Sequence, residues 1–169
     1  RSTPLGTLKK DKKHVVLTKA QSDAVEQISN GKGTFLLHGV TGSGKTEIYE
    51  SVIEREIAKG RTAIMLVPEI SLTPQMLGLF RARFGDDVAI LHSGLNDSER
   101  YDEWKRLKTG AAHIAIGARS AVFAPLENIG AIIIDEEHDT SYLSESNPRY
   151  DTKTIADFRA KANDGVLVL

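Results

Sequence analysis

The sequence contains no cysteine among its 169 residues, which excludes disulfide bonds and cysteine-ligated zinc from this chain. Nor does it contain an apolar run approaching the length of a transmembrane helix, and its first residues lack the pattern of a signal peptide. Hydrophobic residues make up 40% and charged residues 27% of the chain, ordinary values for a globular domain. We therefore expect a cytoplasmic protein of one domain with a sizeable core.

The chain has almost no net charge, with a formal value of −1 at pH 7. Its distribution is uneven, since residues 1–13 carry +4 and the remainder carries −5. A nucleic-acid-binding domain often has a basic footprint, and the body of this chain has none. Either a nucleic-acid surface is small and local, or the partner binds elsewhere. Residues 1–13 show neither helical nor strand periodicity and predict a linker or tail from a preceding domain.

A phosphate-binding loop is the clearest motif, with the pattern G-x-x-x-x-G-K-[ST]. It follows an apolar run at 34–38, interpreted as a buried strand, and precedes a helical pattern. Its glycines allow backbone N–H groups to surround phosphate oxygens, and the following helix adds its partial positive charge. We predict that Lys45 reaches the outer phosphates and that the Thr46 hydroxyl ligates Mg²⁺. The predicted nucleotide-binding loop consists of Gly39, Val40, Thr41, Gly42, Ser43, Gly44, Lys45 and Thr46.

Short apolar runs alternate with helical patterns along the rest of the chain, which predicts an α/β fold. The architecture expected is a doubly wound, mostly parallel sheet with helices on both faces. The strands are predicted at 35–37, 63–67, 88–91, 114–116, 132–134 and 166–169. The helices are predicted at 18–30 and near 45–59, 73–84, 97–108 and 152–163.

Three details of packing are also predicted from periodicity. The first helix is expected to bury Ala20, Ala24, Val25 and Ile28, and the second Ile48, Tyr49, Val52, Ile53 and Ile57. Trp104 is expected in the core, with Tyr101 and Leu107 at helical spacing.

The final run at 166–169 has the character of a central strand with no turn after it. We therefore expect residues 14–169 to be one lobe cut from a longer protein.

Two acidic residues, Asp135 and Glu136, follow the apolar run at 132–134. An apolar strand cannot carry two ionised carboxylates inward, so they must emerge at its carboxyl end. Ligands of open α/β sheets bind at that edge, here beside the phosphate loop. We predict that Asp135 holds Mg²⁺, directly or through water, and that Glu136 orients and deprotonates the attacking water. This division of roles favours a hydrolase over a small-molecule kinase.

Together, GVTGSGKT at 39–46 and DEEH at 135–138 resemble the first motor lobe of superfamily 2 helicases of the DEAD/DEAH-like type. Residues 67–75, 91–94 and 116–123 are similar to that superfamily's motifs Ia, Ib and Ic. The stretches LHGVTGSGKTEIY and IIIDEEHDTSY narrow the resemblance to the primosomal replication-restart helicases.

That resemblance implies a RecA-like P-loop NTPase lobe of an ATP-dependent 3′→5′ DNA helicase. Such a helicase acts at stalled forks in replication restart and primosome assembly, with ATP and Mg²⁺ as cofactors. The family's zinc site belongs to segments outside this chain, as do motif III and the arginine finger of motif VI. The implied partners are forked or single-stranded DNA, a second helicase lobe and DNA-binding region of the same protein, primosome proteins and single-stranded DNA-binding protein.

Carried onto this sequence, the resemblance assigns roles residue by residue. Lys45 and Glu136 are the catalytic residues, and Gln21 is the adenine-reading glutamine, although Thr18-x-x-Gln21 is also a helix capping box. His138 is predicted to couple the nucleotide site to DNA. The loop at 139–154 departs from the family, because Leu143-Ser144 and Asp151-Thr152-Lys153 replace more basic runs. The predicted DNA contacts are Thr73, His92, Ser93, Gly94, Arg119 and Tyr142.

Without the family resemblance, the motifs would also be compatible with other functions. The motor lobe of another superfamily 2 DNA translocase, of the restriction or repair type, shares these motifs. A GTPase requires an Asn-Lys-x-Asp-type guanine reader, and no such tetrapeptide occurs in the sequence. A non-enzymatic DNA-binding module is disfavoured by the acidic body of the chain.

Overall fold

The computed structural model describes residues 16–38, 43–144 and 150–169, and only the backbone of Ser43 and Ser144. The predicted tail at 1–13 lies outside these residues. The same holds for half of the predicted phosphate loop, namely Gly39, Val40, Thr41 and Gly42. Within the described residues, no helix is both long and apolar enough to cross a membrane.

Helices and strands alternate through most of the described chain. The helices are α1 (Lys19–Asn30), α2 (Ser43–Ala58), α3 (Pro74–Phe84), α4 (Asp97–Thr109) and α5 (Thr152–Ala162). The strands are β1 (Gly33–Phe35), β2 (Thr62–Leu66), β3 (Val88–Leu91), β4 (Ile114–Gly117), β5 (Ile129–Ile134), β6 (Leu143–Ser144), β7 (Tyr150–Asp151) and β8 (Val166–Val168). All the predicted helices and strands are therefore present, with small differences in their ends.

Six of these strands form one parallel sheet in the order β1-β8-β5-β2-β4-β3. Strands β6 and β7 form a separate antiparallel pair. Because all six strands of the large sheet run in the same direction, their carboxyl ends meet at one edge. The predicted doubly wound parallel sheet is confirmed.

The core has two layers, one on each face of the sheet. Helices α1, α2 and α3 pack on one face, where Val25, Val52 and Phe80 are fully buried. Helices α4 and α5 pack on the other face, with Leu107 and Ala156 buried there. Neighbouring residues of β2 alternate between the two layers, which is why the central strands are apolar without interruption.

Helix boundaries follow from capping side chains. Thr18 Oγ1 accepts from the Gln21 backbone N–H at 3.2 Å, and Gln21 Oε1 accepts from the Thr18 N–H at 2.8 Å. The predicted capping box is thus confirmed. Helix α4 begins after Asn96, whose side chain accepts from the Glu99 N–H, and ends at Gly110 in the left-handed conformation.

The first strand differs from the prediction. It was expected at 35–37 and buried, but β1 spans Gly33–Phe35, and Leu36 is 57% exposed. The physical reason is its place at the edge of the described sheet, where it pairs with β8. Backbone hydrogen bonds with Leu169 continue this pairing as far as Leu37.

Two predictions of buried residues are wrong. Ala20 is exposed on α1, and the polar Gln21 and Ser29 are buried instead. On α4, Trp104 is 37% and Tyr101 63% exposed. Tyr101 and Trp104 have helical spacing with Leu107, but of the three only Leu107 lies on the side of α4 that packs against the sheet.

Gly117→Ala is expected to destabilise the fold by about 1–3 kcal/mol, the usual cost of overpacking. A Cβ at Gly117 would overlap the Leu91 carbonyl oxygen and lie 2.8 Å from the Ala121 Cβ. The matched control is Gly78→Ala in α3, where the added Cβ meets nothing within 4 Å. That change is expected to be neutral or stabilising by up to about 1 kcal/mol. Urea unfolding measures both variants, and equal stabilities would contradict the close approach.

Candidate functional site

The predicted nucleotide-site residues come from two elements that meet at the carboxyl edge of the sheet. Strand β5 ends at Ile134, immediately before Asp135 and Glu136. Helix α2 begins at Ser43, within the predicted phosphate loop. Helix α2 packs against both β5 and β2, and the Tyr49 hydroxyl in its second turn lies 3.0 Å from Asp135 Oδ1, at the edge where the carboxylates emerge.

Asp135 is held through both its backbone and its side chain. Its N–H donates to the Leu66 carbonyl oxygen of β2 at 2.9 Å. Its Oδ1 accepts from the Tyr49 hydroxyl of α2 at 3.0 Å, and its backbone oxygen accepts from the Tyr142 hydroxyl. This half-buried carboxylate therefore has a fixed place at the end of β5.

The electrostatics of Asp135 reflect these surroundings. Burial raises the pKa of its carboxyl group above the usual value. The Tyr49 hydrogen bond and the positive charge of Lys45 oppose that rise, whereas the negative charge of Glu136 adds to it. Burial also raises the pKa of Tyr49 and Tyr142, so both phenols remain hydrogen-bond donors at neutral pH.

Glu136 has an unusual backbone. Its φ is 51°, a left-handed conformation that costs a non-glycine residue on the order of 1–3 kcal/mol. The turn that enforces it is closed by the Asp139 N–H, which donates to the Glu136 carbonyl oxygen at 2.8 Å. The exposed Glu136 carboxylate lies 3.4 Å from His138 Nε2. The strand therefore ends abruptly, and Glu136 extends from the sheet edge beside the predicted coupling histidine.

Gln21 connects helix α1 to the start of α2. Its Oε1 accepts from the Thr18 N–H in the capping box. Its Nε2 donates to the Gly44 carbonyl oxygen at 3.2 Å and to Glu47 Oε2 at 3.1 Å. Both ends of the amide are thus used within the protein. To donate to an adenine, Nε2 would have to exchange one of its two partners, whereas Oε1 has a second lone pair that can accept.

The donor set at this edge fits a hard divalent cation such as Mg²⁺. Thr46 supplies a hydroxyl in the first turn of α2, and Asp135 supplies a carboxylate that Tyr49 already orients. Oxygen ligands of this kind are the ones Mg²⁺ prefers. Lys45 brings a positive charge close enough to lower the pKa of Asp135, as expected at a site for anionic phosphates.

Most predicted DNA-contact residues follow strands whose carboxyl ends share this edge. Thr73 caps α3, its hydroxyl oxygen accepting from the Met76 N–H at 3.2 Å. After β3, the Ser93 hydroxyl donates to Glu69 Oε1 at 2.5 Å, and the Ser93 N–H donates to the same oxygen. The Gly94 N–H donates to His92 Nδ1 at 3.0 Å. The backbone amides of Ser93 and Gly94 therefore already have hydrogen-bond partners within the protein.

Arg119 and Tyr142 meet at the turn between β5 and β6. Arg119 Nη1 donates to the carbonyl oxygens of Ser141 at 3.4 Å and Leu143 at 3.3 Å, on either side of Tyr142. Tyr142 itself is 3% exposed and packs in the core. Its ring has no face open to a base in this structure, and the assignment of Tyr142 as a DNA contact stays a prediction.

Sequence reasoning missed two participating residues. Tyr49 was predicted only as a core residue, because its spacing with Ile48 and Val52 is that of an apolar helix face. Glu69 lies in the stretch that resembles motif Ia, but no role was predicted for it. Their partners, Asp135 and Ser93, are distant in sequence, so no local pattern reports either contact.

Comparison with known proteins identifies related sequences. Residues 18–164 match a family model described as DEAD/DEAH box helicase. The chain is 54% identical over 158 residues to the replication restart protein PriA of Bacillus subtilis (strain 168). That match covers 90% of this chain and 20% of that protein, so the chain spans about a fifth of this relative's length.

Solved structures show the same fold. The UvsW helicase from bacteriophage T4 matches with a TM-score of 0.64 at 16% identity, covering 92% of this chain and 52% of that chain. RecG bound to a three-way DNA junction matches with a TM-score of 0.62 at 24% identity, covering 91% and 21%. These likenesses show the helicase-lobe fold, which is the RecA-like arrangement that the resemblance implied.

Proposed function

Because the chain belongs to the DEAD/DEAH box helicase family, we propose that it is the ATP-binding motor lobe of an ATP-dependent 3′→5′ DNA helicase. The proposed helicase acts at stalled forks in replication restart and primosome assembly. The similarity to PriA supports this role over that of another superfamily 2 translocase of the restriction or repair type. A helicase that acts on chromosomal forks in bacteria works in the cytoplasm.

The observation that carries the proposal is the contact between α2 and the end of β5. The Tyr49 hydroxyl lies 3.0 Å from Asp135 Oδ1, one turn beyond Lys45 and Thr46. It brings the helix that follows the phosphate loop against the strand that carries the two acids. A phosphate site and a carboxylate pair at one sheet edge constitute the arrangement that ATP hydrolysis requires.

Each residue has a distinct chemical role in the proposed reaction. The Lys45 ammonium stabilises charge on the outer phosphates, and Thr46 and Asp135 would hold Mg²⁺. The ion, when bound, neutralises charge on the phosphate oxygens. Glu136 orients a water molecule and accepts its proton. The exposure of Glu136 and its proximity to His138 suit a base that responds to changes at the DNA side of the lobe.

The proposed DNA surface is the remainder of the same edge. Thr73 and Arg119 follow β2 and β4, and a threonine hydroxyl and a guanidinium both suit backbone phosphates. RecG, which shares the fold, is known in complex with a three-way DNA junction. Further proposed partners are a second helicase lobe, a DNA-binding region, primosome proteins and single-stranded DNA-binding protein.

Lys45→Ala is expected to weaken nucleotide binding at least about tenfold, because it removes the charge that faces the phosphates. The test is titration of a fluorescent ATP analogue with Mg²⁺ into wild type and variant, followed by competition with ATP and GTP. Wild type is expected to bind saturably, and ATP is expected to displace the analogue better than GTP.

The matched control is Lys161→Ala, which removes a 72% exposed lysine of α5 outside the proposed site. Its binding is expected to equal that of wild type. If Lys45→Ala bound the analogue as tightly as this control, the phosphate loop would not be the nucleotide site and the proposed function would fail.

A further inference from the structure

The Tyr49 hydroxyl is a polar group in an otherwise apolar position. Tyr49 is 2% exposed and belongs to the same core layer as Val52 and Ile53. A phenylalanine would satisfy the periodicity of this helix face equally well. Burying a hydroxyl is costly unless it finds a partner, and the partner of this one is Asp135 Oδ1 at 3.0 Å.

A second tyrosine, Tyr142, forms a hydrogen bond to a different atom of Asp135. The Tyr142 hydroxyl donates to the backbone oxygen of Asp135, and the Tyr142 carbonyl oxygen accepts from Thr152 Oγ1 at 2.6 Å. Thr152 is fully buried at the start of α5. Tyr142 therefore fixes the strand end, whereas Tyr49 fixes the carboxylate itself. These two constraints are separable by single substitutions.

We propose that Tyr49 is a positioning residue that sets the orientation of the Asp135 carboxylate for the Mg²⁺ of bound nucleotide. The inference rests on the proposed function, because it assumes that Asp135 faces that ion. A carboxylate can turn about its χ2 bond, and a hydrogen bond from a rigid, buried ring to one oxygen restricts this turn. Helix α2 thereby supplies the phosphate-binding residues and also orients the metal ligand of β5.

Tyr49→Phe is expected to raise the Mg²⁺ concentration needed for half-maximal nucleotide binding by about tenfold, as for other partners of metal ligands. Nucleotide affinity in excess EDTA is expected to be unchanged, because that component depends on the phosphate loop. Shifts of assigned backbone amides report the Mg²⁺ midpoint when Mg²⁺ is titrated at fixed ATP, and the nucleotide affinity when ATP is titrated in excess EDTA. NMR tolerates weak affinity in both titrations. Tyr142→Phe is the matched control and is expected to shift the Mg²⁺ midpoint less.

A merely structural role is distinguished by repeating the comparison in an Asp135→Asn background. The amide oxygen of asparagine accepts the same hydrogen bond but is a poor Mg²⁺ ligand, so Tyr49→Phe is expected to have no further effect on Mg²⁺ dependence there. An equal effect in both backgrounds, or an unchanged midpoint in Tyr49→Phe, would overturn the inference. Absence of Mg²⁺-dependent binding in wild type would overturn the proposed function and this inference together.

Discussion

ATP turnover by this chain is expected to be about 10³-fold or more below that of the same lobe joined to a second, arginine-bearing lobe. The described edge carries Lys45, Asp135 and Glu136, whereas the resemblance to helicases implies that the arginine that stabilises transition-state charge belongs to a second lobe. The chain spans about a fifth of its relative PriA. Nucleotide bound at the edge of one lobe would also remain open to water, which weakens every electrostatic contribution.

The measurement is phosphate release by the chain and by a two-lobe protein that contains it, each with and without single-stranded DNA. Stimulation by DNA is expected only in the two-lobe protein. Its Glu136→Gln variant is the matched control, expected to lose about 10²–10⁴-fold in turnover while still binding nucleotide. DNA-stimulated hydrolysis by the chain itself, at the rate of the two-lobe protein, would show that one lobe forms a complete active site.

Arg159→Leu is expected to destabilise the fold by about 3–5 kcal/mol, the largest stability effect that we expect from a single side chain. Arg159 of α5 donates to three carbonyl oxygens of the segment that connects β4 to β5. The distances are 2.6 Å to Val122, 2.9 Å to Ala124 and 3.2 Å to Leu126. Because these three residues are buried, leucine would remove the guanidinium donor from all three carbonyl oxygens, and the Ala124 oxygen would keep only the Leu126 N–H, at 2.8 Å.

Equilibrium urea unfolding measures this loss, with two controls on the same residue and helix. Arg159→Lys keeps the charge but not the planar fork, so an intermediate loss is expected. Lys161→Ala removes an exposed pair with Asp157 and is expected to change stability by less than about 0.5 kcal/mol. A loss for Arg159→Leu no larger than that of Lys161→Ala would mean that these carbonyl groups do not depend on Arg159.

This network also concerns the proposed DNA surface. The segment that Arg159 supports begins near Arg119, whose side chain holds the turn around Tyr142. Tyr142 in turn contacts the backbone of Asp135. Arg119, one of the predicted DNA contacts, is therefore linked to the proposed metal ligand Asp135 through two hydrogen bonds, with the backbone and side chain of Tyr142 between them.

Much of the fold was predictable because the signals are local. The alternation of apolar runs and helical patterns specified every large strand and helix, and the capping box at Thr18 marked the start of the first helix. The order of strands in the sheet was not predictable from these patterns, since it depends on pairing between distant segments. The edge position of β1 is the consequence that sequence reasoning missed.

The proposed site also has one part that was predictable from the sequence and one part that was not. The phosphate-loop pattern and the acids after β5 are contiguous motifs, so the residue types and their spacing suffice to predict their chemistry. The roles of Tyr49, Tyr142 and Glu69 were not predictable, because a tyrosine at apolar spacing indicates burial but not the partner of its hydroxyl. Tyr142 was predicted at an exposed DNA surface, and the structure buries it at 3% exposure.

The sequence by itself determined the elements, the proposed nucleotide chemistry and membership of a helicase family, because each depends on residues close together along the chain. The tertiary structure decided which polar groups meet. It placed the hydroxyl of α2 on the carboxylate of β5, the Ser93 amide on Glu69, and Arg159 on the carbonyl oxygens after β4. These contacts join residues far apart in sequence, and their geometry is fixed only when the helices pack on the sheet.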